Sequence, residues 1–160
     1  MLWYFGYGSN TERGTFLGRR RMRPVEVRTG RLDAFELRFD LAVGPGERGV
    51  ANVAPREGDH VWGVLWRIDE EGAHHLDRTE GVPRGFYQRL PVRVVTPQDE
   101  EIAAFTYRSF RGRPGRKPSR RYLSLLLAGA RQHGLPEDWI ARLRGFELAA
   151  DERTRQGRLF

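Results

Sequence analysis

The chain has 160 residues, 39% of them hydrophobic, and 28 Lys and Arg against 21 Asp and Glu give a net charge of +7. A chain of this size buries about two-thirds of its unfolded surface around one core, so a single domain over residues 1–160 is expected. Cysteine is absent, which excludes disulfides, thiolate metal sites and cysteine nucleophiles together.

The opening "MLWYFGYGSN" has neither a basic leader nor an apolar signal core, and no run approaches the ~18 apolar residues of a membrane helix. A cytoplasmic protein with no membrane partner is expected. Leu2–Tyr7 reads as an aromatic strand until Gly6 and Gly8 interrupt it. The glycines start a G-x-G-x-x-G dinucleotide fingerprint but do not finish it, because Thr11 occupies the third glycine position. Ser9 also fails as a nucleophile elbow, having Tyr7 and Thr11 where G-x-S-x-G needs glycines. Two readings remain for the stretch: an ordinary strand-ending turn, or a loop where Gly8 permits a turn and Ser9 and Asn10 offer N–H groups to an anion.

Further strands follow. "VEV" (Val25–Val27) precedes "AFELRFDLAV", which alternates cleanly with Phe35, Leu37, Phe39 and Leu41 on one face. "VANV" (Val50–Val53) precedes "VWGVLWRI" (Val61–Ile68), which is apolar on both faces as a central strand would be. Asp69 predicts the N-cap of a helix through "EEGAHHLDRTE", with acids in the first turn and Gly81 as its left-handed stop. "YQRLPVRVV" and "IAAFTYRSF" resume alternation, bringing the strand segments to about seven. Ser119 predicts the cap of a helix with Tyr122, Leu125, Leu126 and Ala130 as its apolar stripe, ended by Gly134. Pro136 begins a last helix facing the core with Trp139, Ile140 and Leu143. Strands first and helices afterwards predict an α+β fold, a curled sheet or small mixed barrel covered by helices.

The basic runs "GRRRMR" (Gly18–Arg23) and "RGRPGRKPSRR" (Arg111–Arg121) lack the interleaved aromatics of a single-strand binder, and no recognition helix is visible. Nucleic acid is not expected. Solvated surface and a docking patch for an acidic partner both fit them, the second reading being that of a non-catalytic anion-binding domain. His60, His74, His75 and His133 have no metal-ligand spacing, so no metal is expected. Glu80 stands out, because it falls in the last turn of its helix, where the negative end of the dipole disfavours carboxylate charge. With Val82 and Phe86 nearby, its pKa is expected to rise toward the range a general base needs, although a solvated glutamate before a glycine stop fits the local sequence too.

Taken together, "FGYGSN", "VWGVLWRID", "LDRTEGVPRGFYQRLPVRV" and "PSRRYLSLLLAGARQHGLPEDWIARL" resemble four blocks of the gamma-glutamylcyclotransferase (AIG2-like) family, in the family's order. The resemblance implies a small mixed β-barrel of 6 or 7 strands with packed helices, no cofactor, and in many members a homodimer. It also implies a reaction in which the α-amine of a γ-glutamyl compound attacks its own γ-carbonyl, giving 5-oxoproline and a free amine or amino acid. Glu80 matches the family's general acid/base. Tyr7, Gly8, Ser9 and Asn10, extended into Thr11 and Glu12, match the substrate-binding loop, and Tyr87 and Tyr122 match tyrosines lining the pocket. Many relatives follow YGSN with an apolar residue, so Thr11 and Glu12 are a departure that places an acid beside an anion site.

Overall fold

The computed structural model describes residues 1–150; residues 151–160, the end of the expected domain, lie outside the described residues. In chain order the elements are β1 (Leu2–Gly6), β2 (Glu26–Ala42), β3 (Gly49–Ile68), α1 (Glu70–Thr79), β4 (Gln88–Val95), β5 (Glu101–Arg108), α2 (Arg120–Gln132) and α3 (Glu137–Arg144). The strands close into a barrel in the order β1-β3-β2-β4-β5. Neighbours are antiparallel except at the seam, where β1 runs parallel to β5 with Tyr4 opposite Phe105. The α+β mixed barrel expected from the sequence is therefore found, with five strands instead of 6 or 7.

All seven strand segments are present, but two pairs of them fuse. "VEV" and "AFELRFDLAV", apart from their outer residues Val25 and Val43, are parts of β2, and "VANV" and "VWGVLWRI" are parts of β3. The residues between them look like strand-ending turns, but Arg28–Asp33 pair in regular register with His60–Leu65, and the β2–β3 hairpin absorbs the rest as an irregularity. Its register steps from Asp33 opposite His60 to Phe35 opposite Pro55, with Gly58 at φ +82° and Ala34 at φ +63°. An inserted bulge bends a strand without ending it, which local sequence alone does not distinguish from a turn.

Alternation along β1 sends adjacent side chains into two cores. Phe5 packs with Leu65, Val94, Leu126 and Trp139, under α2 and α3. Tyr4, on the opposite face, packs with Phe16, Trp66, Leu76 and Tyr107, under α1 and the π-helical stretch Gly14–Arg19. Gly63, in the middle of β3, has no room for a side chain: a Cβ there would lie 2.4 Å from the Gly6 carbonyl oxygen and 2.7 Å from the Phe5 ring.

The helix signals are found where the sequence places them. Asp69 accepts a hydrogen bond from the Gly72 amide at 2.7 Å, and Ser119 accepts one from the Tyr122 amide at 3.1 Å, each filling an N-cap. Trp139, Ile140 and Leu143 of α3 are buried as predicted. In α2 the phase differs slightly, because the buried stripe is Leu123, Leu126, Gly129 and Ala130, with Leu125 only half-buried. Gly129 lets α2 approach the loop after β1 so closely that a Cβ would lie 2.3 Å from Thr11 Oγ1. Part of the second basic run is consumed internally: Lys117 pairs with Glu47 and Glu147, and Arg116 donates to the carbonyls of Gly44 and Arg48.

Candidate active site

At Gly6 the strand β1 ends and the chain makes a short 3₁₀ turn over Ser9–Thr11 before the π-helical stretch. Trp66 of β3 anchors this turn, its indole N–H donating to the Asn10 carbonyl at 2.9 Å. Seventy residues later α1 ends at Glu80, and Gly81 follows in the left-handed conformation at φ +69°. The fold brings the two chain reversals together. Asn10 Nδ2 donates to Glu80 Oε1 at 2.8 Å and to Tyr4 Oη at 3.0 Å.

These residues border a cavity of about 550 Å³ that also takes in Tyr7, Gly8, Ser9, Tyr87 and Tyr122. Seven of the sequence-predicted site residues are thus gathered on one space. Thr11 and Glu12 are not among its lining. Thr11 is buried toward α2, its hydroxyl donating back to the Gly8 carbonyl at 2.8 Å. Glu12 turns to the start of the π-helical stretch, where it accepts from the Gly14 and Thr15 amides at 2.9 and 2.6 Å and from the Thr15 hydroxyl at 2.8 Å. Partial burial works against its ionisation, yet these hydrogen bonds outweigh it and hold the carboxyl below its ordinary value. The acid that departs from the family pattern is therefore an internal cap.

Gly8 is required by close approach, not by an unusual φ. Its φ is −104°, and a Cβ would meet the Tyr122 hydroxyl at 2.9 Å and the Ala51 side chain at 3.0 Å. Ala51 of β3 ties both tyrosines expected in the pocket to the wall: its amide donates to Tyr122 Oη at 3.1 Å, and its carbonyl accepts from the Tyr87 hydroxyl at 2.6 Å. Tyr7 in turn donates to the Tyr107 carbonyl across the barrel seam. Burial raises the pKa of Tyr4, Tyr7, Tyr87 and Tyr122, so all four phenols keep their protons near neutral pH.

Glu80 has a side chain only 11% exposed. Burial pushes its pKa up, while the Arg20 guanidinium and the Asn10 hydrogen bond pull the other way and do not cancel it. The direction is the one expected from the sequence, but the largest cause is removal from water rather than the helix end. Phe86, expected to help bury it, is 40% exposed and lines the cavity.

Sequence reasoning missed three participants. Arg20 lies inside a basic run that reads as solvated surface, yet its side chain reaches the cavity. Tyr4 and Tyr107 read as strand aromatics, although Tyr4 is offset from Tyr7 by an odd number of positions and the chain turns between them. None of the four histidines belongs to a cluster that could hold a metal among the described residues, and His75 instead bonds the Arg20 carbonyl at 2.8 Å.

Residues 60–143 match the AIG2-like family. A gamma-glutamylcyclotransferase of Mus musculus is 34% identical over 152 residues, covering 90% of this chain and 78% of the mouse protein. The chain belongs to the gamma-glutamylcyclotransferase family, AIG2-like. The gamma-glutamylcyclotransferase of Homo sapiens is 32% identical with the same coverage. A solved structure of a gamma-glutamyl cyclotransferase superposes with a TM-score of 0.80 at 28% identity, over 92% of this chain and 88% of that one. The likeness thus extends from the sequence to the barrel fold, and no helix among the described residues is long and apolar enough to cross a membrane.

Proposed function

We propose that this chain cyclises the γ-glutamyl group of a γ-glutamyl amino acid or amine to 5-oxoproline, with Glu80 as general acid/base. The observation that carries the reading is a buried carboxylate of raised pKa, aimed by Asn10 into a cavity of small-molecule size. The names of the mouse and human relatives support the same chemistry.

An intramolecular cyclisation needs no enzyme nucleophile, since its barrier is chiefly one of orientation and proton transfer. Glu80 accepts a proton from the substrate's α-ammonium. The freed nitrogen lone pair forms a bond to the γ-carbonyl carbon, and negative charge moves onto the carbonyl oxygen. Main-chain N–H groups of the loop from Tyr7 to Asn10 are the donors available to that oxygen. As the oxyanion collapses, the bond to the original amide nitrogen breaks, and that nitrogen leaves as an ammonium with the proton held by Glu80 and a second one given up by the new ring nitrogen. The products are 5-oxoproline and the free amine, and the enzyme is unchanged. Burial suits Glu80 to this work by bringing its basicity closer to that of an amine than a solvated carboxylate would be.

The experiment is to incubate the purified chain with γ-glutamyl-alanine and with γ-glutamyl amines and to quantify 5-oxoproline. Release by the wild type and its loss in Glu80→Gln are expected. Failure of every γ-glutamyl compound to yield 5-oxoproline would sink the assignment.

A further inference from the structure

The reaction proposed above starts from an α-amino acid head group, which carries an ammonium and a carboxylate on one carbon. A site that recognises both by charge holds an anion and a cation a few ångströms apart. The cavity contains such a pair. Arg20 Nη2 lies 3.7 Å from Glu80 Oε1, and both side chains line the same space.

Resting on that reading, we propose that Arg20 and Glu80 form a paired head-group site, in which Arg20 takes the substrate's α-carboxylate while Glu80 faces its α-ammonium. Arg20 is fixed at its main chain and loosely held at its side chain. Its amide donates to the Thr15 carbonyl at 2.8 Å, closing the π-helical stretch, and its carbonyl accepts the bond from His75. The guanidinium's own contacts are long: 3.3 Å to the Thr79 carbonyl, 3.4 Å to Asn10 Oδ1 and 3.7 Å to Glu80. A guanidinium has five N–H donors in a planar fork suited to a carboxylate, so these weak contacts leave donors to spare. Its side chain is 29% exposed, open to an entering ligand.

This assignment also divides the labour within the cavity. With the α-carboxylate on Arg20, the loop amides after β1 are left for the developing oxyanion. Drawing the guanidinium toward the substrate also loosens its grip on Glu80, which makes the carboxylate a better base at the moment a proton must be taken. Arg84, the other cation on the lining, is exposed and lies over the Phe86 ring, 5.4 Å from its centroid.

The test separates the carboxylate from the rest of the ring. The purified chain is titrated by NMR with 5-oxoproline and with 2-pyrrolidinone, the same lactam without its carboxylate. The wild type is expected to favour 5-oxoproline by roughly 10- to 100-fold, the range of one charged hydrogen-bonded contact. Arg20→Gln is expected to erase that preference without changing 2-pyrrolidinone binding, and Arg20→Lys to restore part of it. In turnover, Arg20→Gln should raise KM for γ-glutamyl-alanine more than KM for 4-aminobutyryl-alanine, which lacks the α-carboxylate, while any change in kcat through the Arg20–Glu80 contact is shared by both substrates. Retention of the full preference in Arg20→Gln, or equal weakening of both lactams, overturns the inference. If instead 5-oxoproline binds through Arg20 while no γ-glutamyl compound is cyclised, the head-group site stands and the proposed reaction falls.

Discussion

Asn10 donates one amide hydrogen to Glu80 and the other to Tyr4, so a single side chain couples the end of α1 to the loop after β1 and to the wall of the cavity. Asn10→Ala removes both bonds. A charge-assisted hydrogen bond is worth about 1.5–3 kcal/mol, so kcat/KM for γ-glutamyl-alanine should fall roughly 10- to 100-fold. Because the Asn10 bond favours the ionised carboxylate, its loss should also move the acid limb of the pH–rate profile to higher pH. A drop in rate with an unmoved acid limb would argue that Asn10 only shapes the loop.

Glu80→Gln should eliminate most turnover, a loss of about 100- to 10,000-fold for a general base. The same change should stabilise the fold at neutral pH. A carboxyl whose pKa is raised by folding favours the folded state while it is protonated, and that contribution is lost as pH rises through the folded value. Glutamine is spared this cost. Thermal melts at pH 7 should therefore show Glu80→Gln melting above the wild type, with the gap closing as pH falls toward 4.

Gly8→Val tests the loop by steric means. The added Cβ would crowd Tyr122 Oη and Ala51, displacing the tyrosine that the Ala51 amide holds. Turnover should fall by about 100-fold or more, since small misplacements of an oriented site are costly, while circular dichroism remains that of the wild type. Unchanged kinetics would reduce the loop to a turn.

Gly63→Ala probes the barrel away from the chemistry. The Gly6 carbonyl is main chain and the Phe5 ring is fully buried, so neither yields easily to a methyl group. Overpacking of this kind costs about 1–3 kcal/mol, and the melting temperature should drop by several degrees with kcat little altered in the molecules that remain folded.

Much of this was legible from local signals that act within a few residues. Asp69, Ser119, Gly81 and the alternation of Phe35 to Leu41 each specify a cap, a stop or a face through neighbours in sequence, and the structure places them accordingly. The position of Glu80 at a helix end was legible for the same reason. What local sequence does not carry is contact at long separation. Arg20 looks like its neighbours Arg19 and Arg21 until α1 is packed against it, and the burial that raises Glu80 comes from segments as distant as Tyr4 and Asn10. The strand count differed likewise, because whether a glycine-bearing interruption ends a strand or bulges it depends on the partner strand.

The parallel seam between β1 and β5 joins residues about a hundred positions apart: the Thr106 hydroxyl donates to the Phe5 carbonyl at 2.7 Å, one step from the Tyr4 and Phe105 pairing. Tyr4 and Tyr7 reach the cavity from one side of that seam and Tyr107 from the other. Contacts of such long loop closure are slow to form, whereas α1, α2 and the β2–β3 hairpin close over short spans. A refolding chain should therefore regain its helical signal before it can bind a ligand, and a kinetic intermediate with an open seam would be well structured yet chemically silent. The cavity between Tyr4, Tyr7 and Tyr107 exists only once that seam has closed, so the recovery of binding during refolding is expected to report completion of the barrel.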